Sequence, residues 1–120
     1  MSRDVLLYPE DIQRACEKVI RYTQDATFVT FKDDEKTFDA VVRNLEIIGE
    51  AAKHMPSTLR DRYPDVEWTK IAGLRDMIAH AYFGLDEEIL WDIVQNRVPE
   101  LLKKITTILT LEDNSISKER

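Results

Sequence analysis

Residues 37–53 read TFDAVVRNLEIIGEAAK, and the spacing of apolar positions along this stretch decides the fold class. Phe38, Val41, Val42, Leu45, Ile48 and Ala52, continued by Met55, recur every three or four residues, which is the repeat of one helical face. A half-buried strand would alternate them instead. The stretch therefore predicts an amphipathic helix over about Glu35 to His54, with Asp33 or Asp34 to cap its positive end and Pro56 to end it. Gly49 lies inside that helix, where glycine costs about 1 kcal/mol relative to alanine. With Ala51 and Ala52 beside it, its expected use is the close approach of a second backbone.

The flanking sequence carries the same period. Upstream, Ile12, Ala15, Cys16, Val19, Ile20 and Thr23 predict a first helix from Tyr8 to about Phe28, with Pro9 suited to its first turn, and residues 27–36 read as a connecting loop. Downstream, PSTLRDRYP at 56–64 leaves room for one short turn. WTKIAGLRDMIAHAYFG at 68–84 then predicts a third helix, started by Asp65 or Glu67 and terminated by Gly84. Its core stripe is Ile71, Leu74, Ile78, Ala81 and Leu85, with Trp68 and Phe83 as packing anchors. A fourth helix starts at Asp86 with the stripe Leu90, Val94, Val98, Leu101, Ile105 and Ile108, and Pro99 should kink or split it near Asn96. Residues 112–120 are polar and expected to fray. The expected architecture is all-α: one domain over residues 1–120, folded as an antiparallel bundle of four to five helices.

Composition agrees and narrows the function. With 120 residues there is room for one modest core, and 3 Gly and 4 Pro in a chain that is 33% charged favour helices. A net charge of -6 and a pI near 4.9 exclude a protein that grips nucleic acid over a broad basic surface, so any phosphate contact must be local. Arg43, Lys53, Arg60, Arg62, Lys70 and Arg75 make the span from Arg43 to Arg75 less acidic than the rest. Cys16 is the one cysteine, which rules out an intrachain disulfide and suits a small core residue. MSRDVLLYPE at the start is too short and charged for a signal peptide, and no apolar run approaches the ~20 residues of a membrane helix, so a cytoplasmic protein is expected. Metal-ligand spacings, cysteine pairs, glycine-rich phosphate loops and nucleophile elbows are absent from the sequence, and no metal or cofactor is expected.

Of the two histidines, His54 and His80, the second has the richer company: Arg75, Asp76 and Tyr82 on the same predicted helix. Such a cluster can be a hydrated face or a site. Asp76 and His80 are one turn apart, so the carboxylate is expected to fix the imidazole tautomer. Arg75 and His80 are about 140° apart around an ideal helix, too far to aim at one atom unaided. Arginine length, distortion of the helix near Gly84, or a second copy of the motif across a two-fold axis would close the gap, and the last predicts a homodimer with a composite cleft.

Arg75, His80 and Tyr82 form an R-x-x-x-x-H-x-Y pattern that, together with NLEIIGEAAK at 44–53, RDMIAHAYFG at 75–84 and LWDIVQNRVPELL at 90–102, resembles the HEPN superfamily and specifically its HepT toxin family. The resemblance spans nearly the whole chain. It implies a dimeric helical bundle acting as a metal-independent RNA endonuclease in a toxin–antitoxin pair. Arg75 and His80 would be catalytic, Asp76 supporting. Tyr82 would be the target of an MntA-like nucleotidyltransferase antitoxin that adds AMP to it. The alternative is a non-catalytic bundle of the same type that binds a nucleotidyltransferase partner or a nucleotide.

Overall fold

The computed structural model describes residues 3–81 and 84–118, and among these every regular element is helical. A 3-10 turn at Arg3–Leu6 leads into α1 (Leu7–Thr23), α2 (Phe28–Asp33), α3 (Glu35–Lys53), α4 (Ser57–Arg62), α5 (Trp68–Ala79) and α6 (Glu87–Asp92); a π-helical turn (Ile93–Arg97) then joins α6 to α7 (Val98–Lys118). The predicted stripes are what the bundle buries. α1 packs between α3 and α7, and α5 lies against the other flank of α3. Ile12, Cys16 and Val19 of α1 meet Val41, Leu45 and Ile48 of α3 and Ile105 of α7, all sealed from solvent. Each such side chain contributes roughly 1.5–3 kcal/mol by leaving water. Cys16 is part of that core, and burial, then the neighbouring Glu17 charge, pushes its thiol up to about 12. It is a packing residue and not a nucleophile at neutral pH.

Four boundaries differ from the sequence reading. The first helix, expected to reach about Phe28, stops at Thr23. Residues 27–36, expected as a loop, contain α2, whose first turn is held by a reciprocal pair: Thr27 Oγ1 accepts from the Thr30 N–H at 3.2 Å, and Thr30 Oγ1 accepts from the Thr27 N–H at 2.8 Å. Threonine here does what glutamate does in the usual capping box. The helix exists to bury Phe31, whose ring packs against Phe38 at 5.3 Å and Trp91 at 5.1 Å. At the other end of the chain, where fraying is expected from residue 112, α7 continues to Lys118. Glu112 is buried there, accepting from both the Arg62 guanidinium and the Tyr63 hydroxyl, which pins α4 to α7. Lastly, α5 stops at Ala79 and does not reach Gly84.

Elsewhere the expected signals operate. Asp34 caps α3, its carboxylate accepting from the Thr37 hydroxyl at 2.8 Å and the Thr37 N–H at 3.2 Å. Pro99 splits the last helix: the Val98 N–H reaches back five residues to the Ile93 carbonyl, forming the π turn just ahead of the proline. Gly84 has φ +101°, a conformation suited to glycine, and turns the chain toward Asp86, which caps α6.

α5 packs chiefly on α3, so its stripe is only half covered. Ile71, Leu74 and Ile78 are partly buried and Met77 is exposed. Between α5 and the α6–α7 arm lies an open groove of about 510 Å³, floored by Ile48 and walled by Leu74, Met77, Ile89, Ile93 and Leu101. Among the described residues, no helix is long and apolar enough to cross a membrane.

Candidate functional site

The site begins at Gly49. A Cβ built there would lie 2.6 Å from the Arg75 backbone nitrogen, so α3 and α5 cross at a distance only glycine permits. The second backbone predicted from the sequence is that of Arg75 itself. The next residue along α3, Glu50, then meets the Arg75 side chain: Glu50 Oε2 lies 2.6 Å from Nε. The N–H is not aimed at that oxygen, which has no well-formed hydrogen bond among the described residues, so the contact is an ion pair that places the guanidinium. Nη1 of Arg75 is 3.4 Å from the Asp76 carboxylate. Both partners of the Glu50–Arg75 pair are nearly half exposed, and solvent screens it; it positions more than it stabilises.

Glu50 also faces the other histidine. Its Oε1 lies 2.8 Å from His54 Nε2, and because an ionised carboxylate can only accept, the ring nitrogen is the donor. The His54 hydrogen bond first, then the Arg75 charge, hold the Glu50 carboxyl below its usual range against the opposing effect of burial. Tyr8, near the start of α1, stacks on the His54 ring.

His80 sits one residue beyond the end of α5, as its C-cap. The carbonyl of Asp76 accepts from the His80 backbone N–H at 3.0 Å and also lies 2.8 Å from Nδ1 of its ring. A carbonyl has no proton to give, so Nδ1 carries the hydrogen and Nε2 is the basic atom of the neutral imidazole. The Asp76 carboxylate, expected to orient the imidazole, turns to Arg75 instead, and Asp76 meets the His80 ring through its main chain. The carbonyl keeps its helical bond to the His80 N–H and meets the ring as well, having two lone pairs to offer. Tyr82 and Phe83 lie outside the described residues.

Glu50, His54 and Tyr8 were not singled out from sequence. The four-residue spacing of Glu50 and His54, next to a glycine read as a close-approach position, was the signal that could have found the first two. Among the described residues no three His, Cys, Asp or Glu side chains converge where they could hold a metal ion.

The bundle thus carries an arginine on α5 and a histidine at that helix's exit, with Asp76 in contact with both. The family model described as "Ribonuclease HepT-like" matches residues 12–108, and the chain belongs to that family. A protein of Methanocaldococcus jannaschii named as a putative RNase is 45% identical over 108 residues, covering 90% of this chain and 89% of the relative. "Probable ribonuclease HepT" of Thermococcus cleftensis is 41% identical, covering 87% and 94%. A third relative, from Caldanaerobacter subterraneus and also named as a putative RNase, is 40% identical, covering 88% and 94%. No solved structure matches the chain.

Proposed function

We propose that the protein is the ribonuclease toxin of a toxin–antitoxin pair, cleaving RNA by transesterification with Arg75 and His80 as its catalytic residues. The observation that carries the reading is the tautomer fixed at His80: with Nδ1 donating to the Asp76 carbonyl, Nε2 is the atom able to take a proton. RNA brings its own nucleophile. The 2′-oxygen forms a bond to phosphorus as the bond from phosphorus to the 5′-oxygen breaks, and Nε2 of His80 receives the 2′-hydroxyl proton. Arg75 faces the charge that builds on the phosphorane, with its guanidinium steadied by Glu50. The departing 5′-oxygen takes a proton from water or from the partner subunit's His80. Products are a 2′,3′-cyclic phosphate and a 5′-hydroxyl.

The second chain belongs to the same proposal. The open groove along α5 has apolar walls that a homodimer would cover, bringing two copies of the motif to one cleft. Control falls to Tyr82: its phenol oxygen attacks the α-phosphorus of ATP on a nucleotidyltransferase antitoxin, pyrophosphate leaves, and the attached AMP blocks the substrate phosphate by bulk and charge. Co-expression with such a nucleotidyltransferase, followed by peptide mass analysis, should find Tyr82 heavier by one or more AMP units. Unmodified Tyr82 in a neutralised toxin contradicts the control step.

One observation favours a second reading. Arg75 already faces two carboxylates, Glu50 and Asp76, in a chain of net charge -6, which weakens its pull on phosphate and suits a bundle that binds its nucleotidyltransferase partner without cutting RNA. End-group analysis of RNA incubated with the purified protein separates the two. Fragments ending in cyclic phosphate and starting with 5′-hydroxyl are expected, and intact RNA would leave the binding role.

A further inference from the structure

Tyr8 and His54 come from different helices and neither is buried: Tyr8 is 37% exposed and the His54 side chain 51%. Their rings nonetheless stack, with centroids 6.0 Å apart and planes 26° from parallel. A pair placed only for packing would be expected in the core, which lies elsewhere, among Ile12, Cys16, Leu45 and Ile48. The His54 ring of the pair is held instead by Glu50, which takes it on one carboxylate oxygen and Arg75 on the other. One carboxyl group therefore separates an exposed aromatic surface from the arginine proposed to face the scissile phosphate. In RNA, one ribose separates a phosphate from its base.

We infer that the Tyr8–His54 pair is a base-stacking platform for single-stranded RNA, receiving a nucleobase next to the phosphate that Arg75 engages. This rests on the phosphate role proposed for Arg75. The platform also accounts for how so acidic a chain could hold RNA. Stacking needs a π-face and not a basic surface, it tolerates any base, and it requires bases free of a duplex. Lys53, adjacent to His54 in the chain, adds its positive charge to those acting on the Glu50 carboxyl.

The test is binding of a short 2′-O-methyl RNA oligonucleotide, which has no 2′-hydroxyl to attack and stays intact, read by fluorescence anisotropy. Abasic residues are introduced one position at a time. Wild-type protein should lose affinity at least about five-fold when the stacked base is removed. Tyr8→Ala should bind the base-bearing and abasic oligonucleotides alike, near the wild-type affinity for the abasic one, and Tyr8→Phe should behave as wild type because it keeps the ring. A thermal melt establishes that each variant is folded. Wild-type protein indifferent to every abasic position, or Tyr8→Ala discriminating as strongly as wild type, would overturn the inference. Unmodified RNA run in parallel tests the nuclease reading separately: RNA left uncut while base-dependent binding persists rejects the nuclease and retains the platform.

Discussion

At the scale of single residues, the site hangs on a missing side chain. Gly49→Ala should gain up to about 1 kcal/mol of helix propensity. Against that, the new methyl would sit 2.6 Å from a backbone nitrogen that no rotamer change can move aside. Overpacking of this kind costs typically about 1–3 kcal/mol, so the net effect should be destabilising, with a lower urea midpoint and weaker RNA cleavage from displacement of Arg75. A variant as stable and active as wild type would show that the close crossing does not matter. The need for close approach at Gly49 was legible in NLEIIGEAAK, since a mid-helix glycine requires a reason. Its partner was not, because nothing in a helical period says which helix crosses where. Glu50 was hidden for a related cause: on an amphipathic helix an acidic residue outside the stripe looks like any solvated side chain. For Asp76, spacing predicts side-chain proximity to His80 and is silent on a ring that folds back onto a main-chain carbonyl.

Among the elements, the long amphipathic helices were readable because each repeats its signal over several turns, whereas α2 offers six residues and a Thr–Thr capping box that mimics loop composition. The end of α5 was misplaced because Gly84 is a terminator seen from sequence, yet the helix gives way at His80, ahead of it. Gly84→Ala should cost about 1–2 kcal/mol, from its φ of +101° and not from crowding, as none of the described residues lies within 4 Å of the added Cβ. Chemical denaturation reads that loss, and an unchanged midpoint would mean the turn relaxes freely. The polar tail misled for a different reason: Glu112 seemed a solvent residue but is the buried acceptor for α4. Burial raises its carboxyl, and the Arg62 and Tyr63 hydrogen bonds together outweigh this, holding it below the ordinary 4.5. Its pairing therefore stabilises the fold fully above pH 4.5 and is lost as pH falls through the depressed value. Glu112→Gln should flatten the fall in urea midpoint between neutral pH and the acid side of that range. An equally steep fall in the variant would remove Glu112 from the account.

For the molecule as a whole, the stripe on α5 explains more than the core does. Ile71, Leu74 and Ile78 have the period of a buried face, yet the chain's own helices cover them only in part, and Ile71 and Leu74 line the groove. Composition and periodicity count apolar positions without saying whether the same chain or another covers them. Met77, 39% exposed on the groove wall, is the place to ask. Met77→Asp should leave the monomer folded, convert a dimer to a monomer in analytical ultracentrifugation, and lower cleavage in proportion. A wild-type protein that sediments as a monomer and still cuts RNA would dispense with the second subunit.

The central claim, that Arg75 and His80 cleave RNA, is tested most directly by single-turnover cleavage of a defined single-stranded RNA by wild-type protein, Arg75→Ala and His80→Ala, each shown to be folded. Wild type should produce fragments with 5′-hydroxyl ends, and each variant should be slower by about 100-fold or more. Wild-type rates in both variants would contradict the claim.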